Sequence, residues 1–229
     1  MRRMLSRVLV LATLLAGCAT ADRSDNHISL QPDAGHTPTV PKDAPDQANP
    51  TDAAPAGCTT QMTDLLVNGS LDTTPNGTGW TEAPIDPTYP IIAPDMPTGY
   101  APATAPNIAW LGGFAQAGAN DSMYQDVAVP AGATQLHLTG SYLVLTAETG
   151  TTAKDKAIVE LRTTSGTKIE SVIALDNTQA GTAWTPLDHT FATASAGQTV
   201  RLYFSSSNTT TNVTDFFYDS LQLVATHCD

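Results

Sequence analysis

Few residues of this chain have the types and spacing that enzyme chemistry needs. The motifs Gly-x-Ser-x-Gly, His-Glu-x-x-His and Gly-x-Gly-x-x-Gly and the phosphate-binding loop are all absent from its 229 residues. His137 and His189 fall in predicted strands with no serine or cysteine arrangement beside them, and His227 lies next to Cys228. Paired carboxylates of glycoside hydrolases are recognised by their separation in space, which spacing along the chain does not give. We predict that the chain is not an enzyme, with an unrecognised hydrolase as the alternative.

Three aromatic residues are better placed for binding a ligand. Sugar recognition uses flat aromatic faces with hydrogen-bonding groups beside them. Trp80, Tyr89 and Tyr100 fall in or beside the proline-rich stretch 84–106, which predicts a long loop. They are therefore the candidate ligand-binding residues. A core position is an equal alternative for Trp80, and the two tyrosines could instead pin the loop to the folded body.

Composition and charge narrow the class of protein. The chain has 10 lysines and arginines against 22 aspartates and glutamates, a formal net charge of -12. Phosphate binding needs a basic face, so a nucleic-acid partner is excluded. Only 14% of the residues are charged, which argues against a helical bundle or a coiled coil.

The first 17 residues have the three zones of an export signal. Three arginines precede a short apolar run that ends at Leu15, and the small residues Ala16 and Gly17 follow. The run is far shorter than the ~20 residues that a transmembrane helix needs. We predict that residues 1–17 are a signal peptide.

Leu15-Ala16-Gly17-Cys18 resembles the lipobox of bacterial lipoproteins. The resemblance implies diacylglycerol on the Cys18 thiol, cleavage before Cys18 and acylation of the new amine, and several acyl chains anchor a protein stably where one does not. Ala19, rather than aspartate, follows the cysteine, which by resemblance to the sorting rule of enterobacterial lipoproteins favours the outer membrane. An ordinary signal peptide is the alternative.

Lipidation of Cys18 would leave two cysteines, Cys58 and Cys228. They bracket everything that looks folded, and an even number in an oxidising compartment favours pairing. We predict a Cys58–Cys228 disulfide, which requires the two ends of the folded body to be neighbours. Two independent thiols are the alternative.

Residues 18–57 differ from the rest of the chain in composition. Six prolines recur there among aspartate, alanine, threonine and glutamine, with few large aliphatic residues. Such a segment buries too little apolar area to offset its ordering entropy. We predict a disordered tether that holds a folded body, residues 58–229, off the membrane.

From Cys58 onward, short runs alternate apolar and polar residues with a period of two. Leu202 and Phe204 oppose Arg201 and Tyr203, for example, in the run near 199–206. Strands are predicted at 64–68, 107–112, 122–129, 134–146, 155–163, 168–175, 186–192, 199–206 and 214–225. Many short strands separated by turn residues predict an all-β, antiparallel β-sandwich.

Three passages resemble galactose-binding-like jelly rolls. Asn68-Gly69-Ser70-Leu71-Asp72, followed by Trp80, is similar to the first strand of these domains, and residues 109–113 with 121–132 to their second passage. Residues 216–223 are similar to the closing strand of these domains. Residues 146–149 and 155–156 are similar to the middle of such domains attached to secreted bacterial peptidases. The resemblance implies a jelly roll. Related domains in carbohydrate-active enzymes bind sugars, and many others only support an attached catalytic domain.

The resemblance also implies a structural Ca²⁺ site with Asp72 and Asp219 as side-chain ligands. Related closing strands often carry a second acid where this chain has Ser220. Asp219 shares strand parity with Phe217 and Leu221, so we expect it to point inward, where a buried carboxylate needs a partner or a cation. An inward Asp219 bonded to backbone amides or threonine hydroxyls is the alternative.

Taken together, the sequence predicts a lipid-anchored envelope protein with one non-catalytic jelly-roll module that binds carbohydrate or another envelope component. A structural or protein-interaction module of an envelope or secretion assembly is the first alternative.

Overall fold

The structure, a computed structural model, describes residues 58–209 and 211–228. The predicted signal peptide, the lipidation site Cys18 and the predicted tether (18–57) lie outside the described residues. Eleven strands are present in the described part: β1 (Thr60–Asp64), β2 (Thr81–Ala83), β3 (Ile92–Ala93), β4 (Ile108–Gly112), β5 (Asn120–Ala128), β6 (Ala133–Thr146), β7 (Lys156–Thr163), β8 (Lys168–Asp176), β9 (Thr185–Thr190), β10 (Thr199–Ser207) and β11 (Thr214–Cys228). A 3₁₀ turn, Asn177–Gln179, follows β8. Among these residues, no helix has the length and apolarity to cross a membrane.

The strands form two antiparallel sheets. The six-stranded sheet has the order β3-β4-β11-β6-β9, with β1 added along β11, and the five-stranded sheet has the order β2-β5-β10-β7-β8. The predicted antiparallel β-sandwich is confirmed. Because strands that are distant in sequence lie side by side, residues from β5, β10 and β7 come together on one sheet.

The main core lies between the two sheets and follows from the period-two pattern. Leu202 and Phe204 of β10 point into it, as do Phe216 and Tyr218 of β11 from the other sheet. The ring of Phe204 meets that of Tyr218 edge-on, with centroids 4.9 Å apart. Each large side chain removed from water in this way stabilises the fold by about 1.5–3 kcal/mol.

A second apolar cluster covers the opposite face of the six-stranded sheet. Ile108, Trp110, Leu143 and Phe217 form this outer cluster, and each alternates along its strand with a residue of the main core. Segments outside the sheet pack over the outer cluster, so this sheet is buried on both faces near β4 and β11. Tyr100 is one of the side chains that cover it.

The predicted first strand is displaced in the structure. The apolar run near 64–68 predicted a strand there, but β1 occupies Thr60–Asp64, and all five of its residues are exposed. The polar segment Thr60–Asp64 forms the strand because it pairs with the end of β11. Such contacts within a sheet can override the strand propensity of the local sequence. Two short strands, β2 and β3, were not predicted.

The predicted disulfide between Cys58 and Cys228 is present. Their Cα atoms are 5.4 Å apart, within the usual range for a disulfide. The register of β1 against β11 pairs Thr60 with Cys228, so it brings the two ends of the folded body together.

The prediction that Asp219 points inward with Leu221 is wrong. The pairing of β11 with β6 shifts register between Asp219 and Gln222, and Ser220 adopts a φ of 55°. This β-bulge adds one residue to β11, so the side chains that follow it lie on the opposite faces from those that strict alternation predicts. Asp219 therefore shares the outer face with Phe217, while Leu221 points into the main core.

Candidate functional site

Trp80 lies in the main core. Its side chain is 9% exposed, and its ring meets Phe204 edge-on with centroids 5.9 Å apart. Its Nε1 donates a hydrogen bond to the Asn68 carbonyl oxygen, 3.0 Å away. A buried ring with its polar atom satisfied cannot stack on a ligand, so the predicted ligand-binding role of Trp80 is contradicted and the core alternative holds.

Tyr89 and Tyr100 rest on different parts of the body. Tyr89 is half-buried, with its ring edge-on to Phe114 at 6.2 Å between centroids. Tyr100 packs against the outer cluster. These contacts agree with the alternative in which the tyrosines pin the loop to the folded body, and ligand binding by Tyr89 and Tyr100 stays a prediction. The structure does not bring Trp80 together with them on one surface.

A tight turn positions Asp72, the first predicted calcium ligand. Asn68 and Leu71 have φ values of 60° and 69°, and the Asn68 side chain bonds to the backbone of the same loop. A side chain at Gly69 would collide with the Leu221 carbonyl oxygen, so glycine is required there. The Asp72 carboxylate accepts a hydrogen bond from the Asn107 amide, at 2.9 Å.

Asp219, the second predicted ligand, is buried and hydrogen-bonded. Its carboxylate accepts from the Thr104 amide (2.8 Å), the Thr104 hydroxyl (2.9 Å) and the Ser220 amide (2.5 Å). Burial raises the pKa of Asp219, and the nearby charge of Asp72 adds to the rise, while the bonds from Thr104 and Ser220 oppose it. The hydrogen-bonded alternative is therefore realised, although on the outer face rather than inward.

These residues adjoin an open pocket of about 540 Å³ lined by Asp64, Asp72, Thr104 and Ser220, among others. Ca²⁺ is bound by six to eight oxygen ligands. The oxygens of Asp219 instead accept hydrogen bonds from N–H and O–H groups, which occupy the positions that a cation would take. No group of three or more histidine, cysteine, aspartate or glutamate residues in the described part of the chain could hold a metal ion. The arrangement does not favour calcium at Asp219, and a calcium site at Asp72 and Asp219 stays a prediction.

The described histidines contact polar groups that account for their positions. His137 Nε2 lies 2.8 Å from Asp188 Oδ1, and His189 Nε2 lies 2.9 Å from Glu170 Oε1. The second contact joins β9 of one sheet to β8 of the other. His227 Nε2 lies 3.0 Å from the Thr63 hydroxyl, across the β1–β11 pair.

The sequence reasoning missed a cluster on the outer face of the five-stranded sheet. Tyr124 of β5 lies directly opposite Tyr203 of β10, and both rings are half-buried. The Arg201 guanidinium lies over the Tyr124 ring, 3.6 Å from its centroid. Its Nε and Nη2 donate to the two oxygens of Asp126, at 2.7 and 2.9 Å. This bidentate pair raises the pKa of Arg201.

The neighbouring strand repeats the arrangement. The Arg162 guanidinium on β7 lies over the Tyr203 ring, 3.7 Å from its centroid, and its Nη2 is 2.6 Å from a Glu160 oxygen. Lys168 on β8 is 3.8 Å from the same carboxylate. We call this surface the tyrosine–arginine face; its members are Tyr124, Asp126, Glu160, Arg162, Arg201 and Tyr203. Cation–π contacts and charge-assisted bonds hold its side chains in fixed positions.

Comparisons with known proteins give distant structural likenesses. No protein family and no curated protein matches this chain. A family 61 carbohydrate-binding module, TmCBM61, solved with β-1,4-galactotriose, is 14% identical with a TM-score of 0.47, over 70% of this chain and 97% of that one. A family 16 carbohydrate-binding module is 21% identical, with a TM-score of 0.43 over 70% and 99%. A cyclase from Fischerella sp. is 13% identical, with a TM-score of 0.45 over 72% and 96%. The β-sandwich rests on the two sheets of the described residues themselves, and neither a family nor a ligand follows from these likenesses.

Proposed function

We propose that this chain is a lipid-anchored, non-catalytic carbohydrate-binding protein of the cell envelope and that it binds saccharide on the tyrosine–arginine face. The observation that carries the proposal is the direct pairing of Tyr124 with Tyr203 on an outer sheet face, flanked by ordered charged groups. Sugars combine apolar ring faces with a rim of hydroxyls, and sites that bind them combine aromatic rings with hydrogen-bonding groups.

The flanking groups include both acceptors and donors for the hydrogen bonds of a sugar hydroxyl. Asp126 and Glu160 offer acceptor oxygens, while Arg162 and Arg201 offer N–H donors. The ion pairs and ring contacts fix these groups before a ligand arrives. Binding to a preorganised face costs less side-chain entropy than ordering free side chains.

The same contacts favour binding over hydrolysis. Glycoside hydrolysis needs one carboxyl group as a proton donor and a second as base or nucleophile. On this face both carboxylates accept bonds from arginines, so neither is placed as a proton donor. Asp219, whose pKa is raised, lies on the other sheet beneath the 84–106 loop.

The lipid anchor is proposed from the lipobox resemblance at Cys18, and the outer membrane from Ala19 beside it. Metabolic labelling with palmitate tests the anchor. We expect label in the wild-type chain and none in Cys18→Ala, and an unlabelled wild type would remove the anchor from the proposal.

Affinity electrophoresis of the full-length chain in detergent, through gels that contain different polysaccharides, tests the binding. We expect retardation by at least one polysaccharide, and Tyr124→Ala or Tyr203→Ala should weaken binding by about tenfold or more, as for aromatic residues at the centre of a binding site. Tyr89→Ala is the matched control and should bind like wild type.

Two outcomes would contradict the proposed site or function. Loss of binding in Tyr89→Ala, with Tyr124→Ala unaffected, would move the site to the loop. No retardation by any polysaccharide, together with co-purification of one protein, would favour a protein-interaction module instead.

A further inference from the structure

The positive charge of the folded body is concentrated on one sheet. Residues 58–229 contain five lysines and arginines against 16 aspartates and glutamates. One of the five, Lys154, lies 2.5 Å from the buried Glu148 carboxylate. The other four are on the five-stranded sheet: Lys156, Arg162, Lys168 and Arg201. An otherwise acidic body therefore carries its cations on the sheet of the tyrosine–arginine face.

Three of these cations form a row across adjacent strands. Arg201 of β10 is paired with Arg162 of β7, and Arg162 is paired with Lys168 of β8. With strands about 4.8 Å apart, the row spans roughly 10 Å. Like charges directly opposite one another destabilise a sheet. Within the described part of the chain, the ion pairs of the three cations are with two carboxylates, Asp126 and Glu160.

The arginines also restrict which sugars can use the rings. A guanidinium covers one face of Tyr124 and of Tyr203, so a neutral sugar that stacks on those ring faces must displace an arginine and lose its cation–π contact. An acidic sugar gains from the same arginine. Each guanidinium has five N–H donors. Among residues 58–209 and 211–228, the carboxylate contacts of Arg201 and Arg162 use the Nε and Nη2 groups.

The cations are accessible to a ligand. The side chains of Arg201 and Arg162 are 19% and 22% exposed, and that of Lys168 is 55% exposed. Carboxylates match the planar guanidinium fork, as the bidentate Arg201–Asp126 pair illustrates.

We propose that the tyrosine–arginine face binds an acidic polysaccharide, with uronate carboxylates placed along the row Arg201–Arg162–Lys168. This inference rests on the proposed function and names the chemical class of its ligand. Charge on the ligand, rather than bare aromatic stacking, then determines selectivity.

Calorimetric titration of the full-length chain in detergent tests the inference. The probes are polygalacturonate, the same polymer with its carboxylates methyl-esterified, a neutral galactan and a sulfated galactan. We expect binding of polygalacturonate and at least about tenfold weaker binding of the esterified polymer. Raising the salt from 10 to 150 mM shortens the screening length from about 30 to about 8 Å and should weaken polygalacturonate binding by about tenfold.

Two variants test the row itself. Lys168→Gln removes the most exposed charge of the row and should weaken polygalacturonate binding about fivefold, whereas Lys42→Gln makes the same change in the predicted tether and should bind like wild type. Arg201→Lys keeps the charge but loses the planar fork and should also weaken binding. Unchanged melting temperatures would show that the variants are folded.

The outcomes separate the two proposals. The proposal of an acidic ligand would be overturned if the esterified and the charged polymer bound equally well. It would also be overturned if wild type and Lys168→Gln bound polygalacturonate equally well. Either result would leave the proposed carbohydrate binding intact. Tighter binding of the sulfated polymer than of polygalacturonate would overturn the uronate assignment. Failure of all four polymers, and of the wider polysaccharide panel, would overturn the proposed function itself.

Discussion

Removal of the Cys58–Cys228 disulfide should destabilise the sandwich and release its first strand. The bond links residues 170 apart in sequence, for which loop-closure entropy predicts about 5 kcal/mol of stabilisation as an upper value. β1 adds little of its own, because all five of its residues are exposed. The far end of β1 is held by Asp64, whose carboxylate accepts from the Leu66 and Leu223 amides at 3.1 Å.

We therefore expect Cys58→Ala/Cys228→Ala to lose about 3–5 kcal/mol of stability. At 2–4 °C per kcal/mol for a domain of this size, the melting temperature should fall by roughly 6–20 °C. Calorimetry measures the shift, and amide hydrogen exchange should show β1 opening from Thr60 towards Asp64 while β11 stays protected. Reduction of the wild type is the control and should give the same shift. A shift below about 3 °C, or a fully protected β1 in the double variant, would contradict the proposed stabilising role of the disulfide.

Three further predictions concern residues singled out in the sequence. Trp80→Ala should cost about 3–5 kcal/mol in denaturant unfolding, because it empties a core position; a loss below about 1 kcal/mol would contradict the buried position. Because the pKa of Asp219 is raised in the folded state, the folded chain binds the proton more tightly. The Asp219 carboxyl group should therefore favour folding below its unfolded pKa of about 3.9, and this contribution should be lost as pH rises through the folded value. The stability of wild type relative to Asp219→Asn should then fall with rising pH, and a rise would contradict the direction of the shift. If the predicted calcium site exists, millimolar Ca²⁺ should raise the melting temperature of wild type and not that of Asp72→Asn, whereas an unchanged wild type would contradict the calcium prediction.

The local sequence pattern predicts which face of a strand each side chain lies on better than it predicts which strands are neighbours in the sheet. The alternation of Leu202 and Phe204 with Arg201 and Tyr203 correctly assigned inner and outer faces on β10. That β10 lies between β5 and β7 is a property of the topology, and no periodicity reports it. The tyrosine–arginine face could therefore not be assembled from the sequence, although its members alternate as expected on each strand.

Single-residue irregularities account for the errors at the other sheet. Strand parity counted through Ser220 predicts an inward Asp219, but the bulge at Ser220 reverses that parity. Trp80 looked accessible because it precedes the proline-rich loop, but the turn from Asn68 and the bond to its carbonyl place the ring in the core. The disulfide was predictable because it depends on cysteine count and compartment rather than on strand order.

Hydroxyl-radical footprinting of the full-length chain, read by mass spectrometry at individual tyrosines, tests the proposed binding face most directly. With saturating polygalacturonate, oxidation of Tyr124 and Tyr203 should fall several-fold, while Tyr89 and Tyr100 should be oxidised as in the free protein. Protection of Tyr89 and Tyr100, with Tyr124 and Tyr203 unchanged, would contradict binding at the tyrosine–arginine face and place the site at the 84–106 loop.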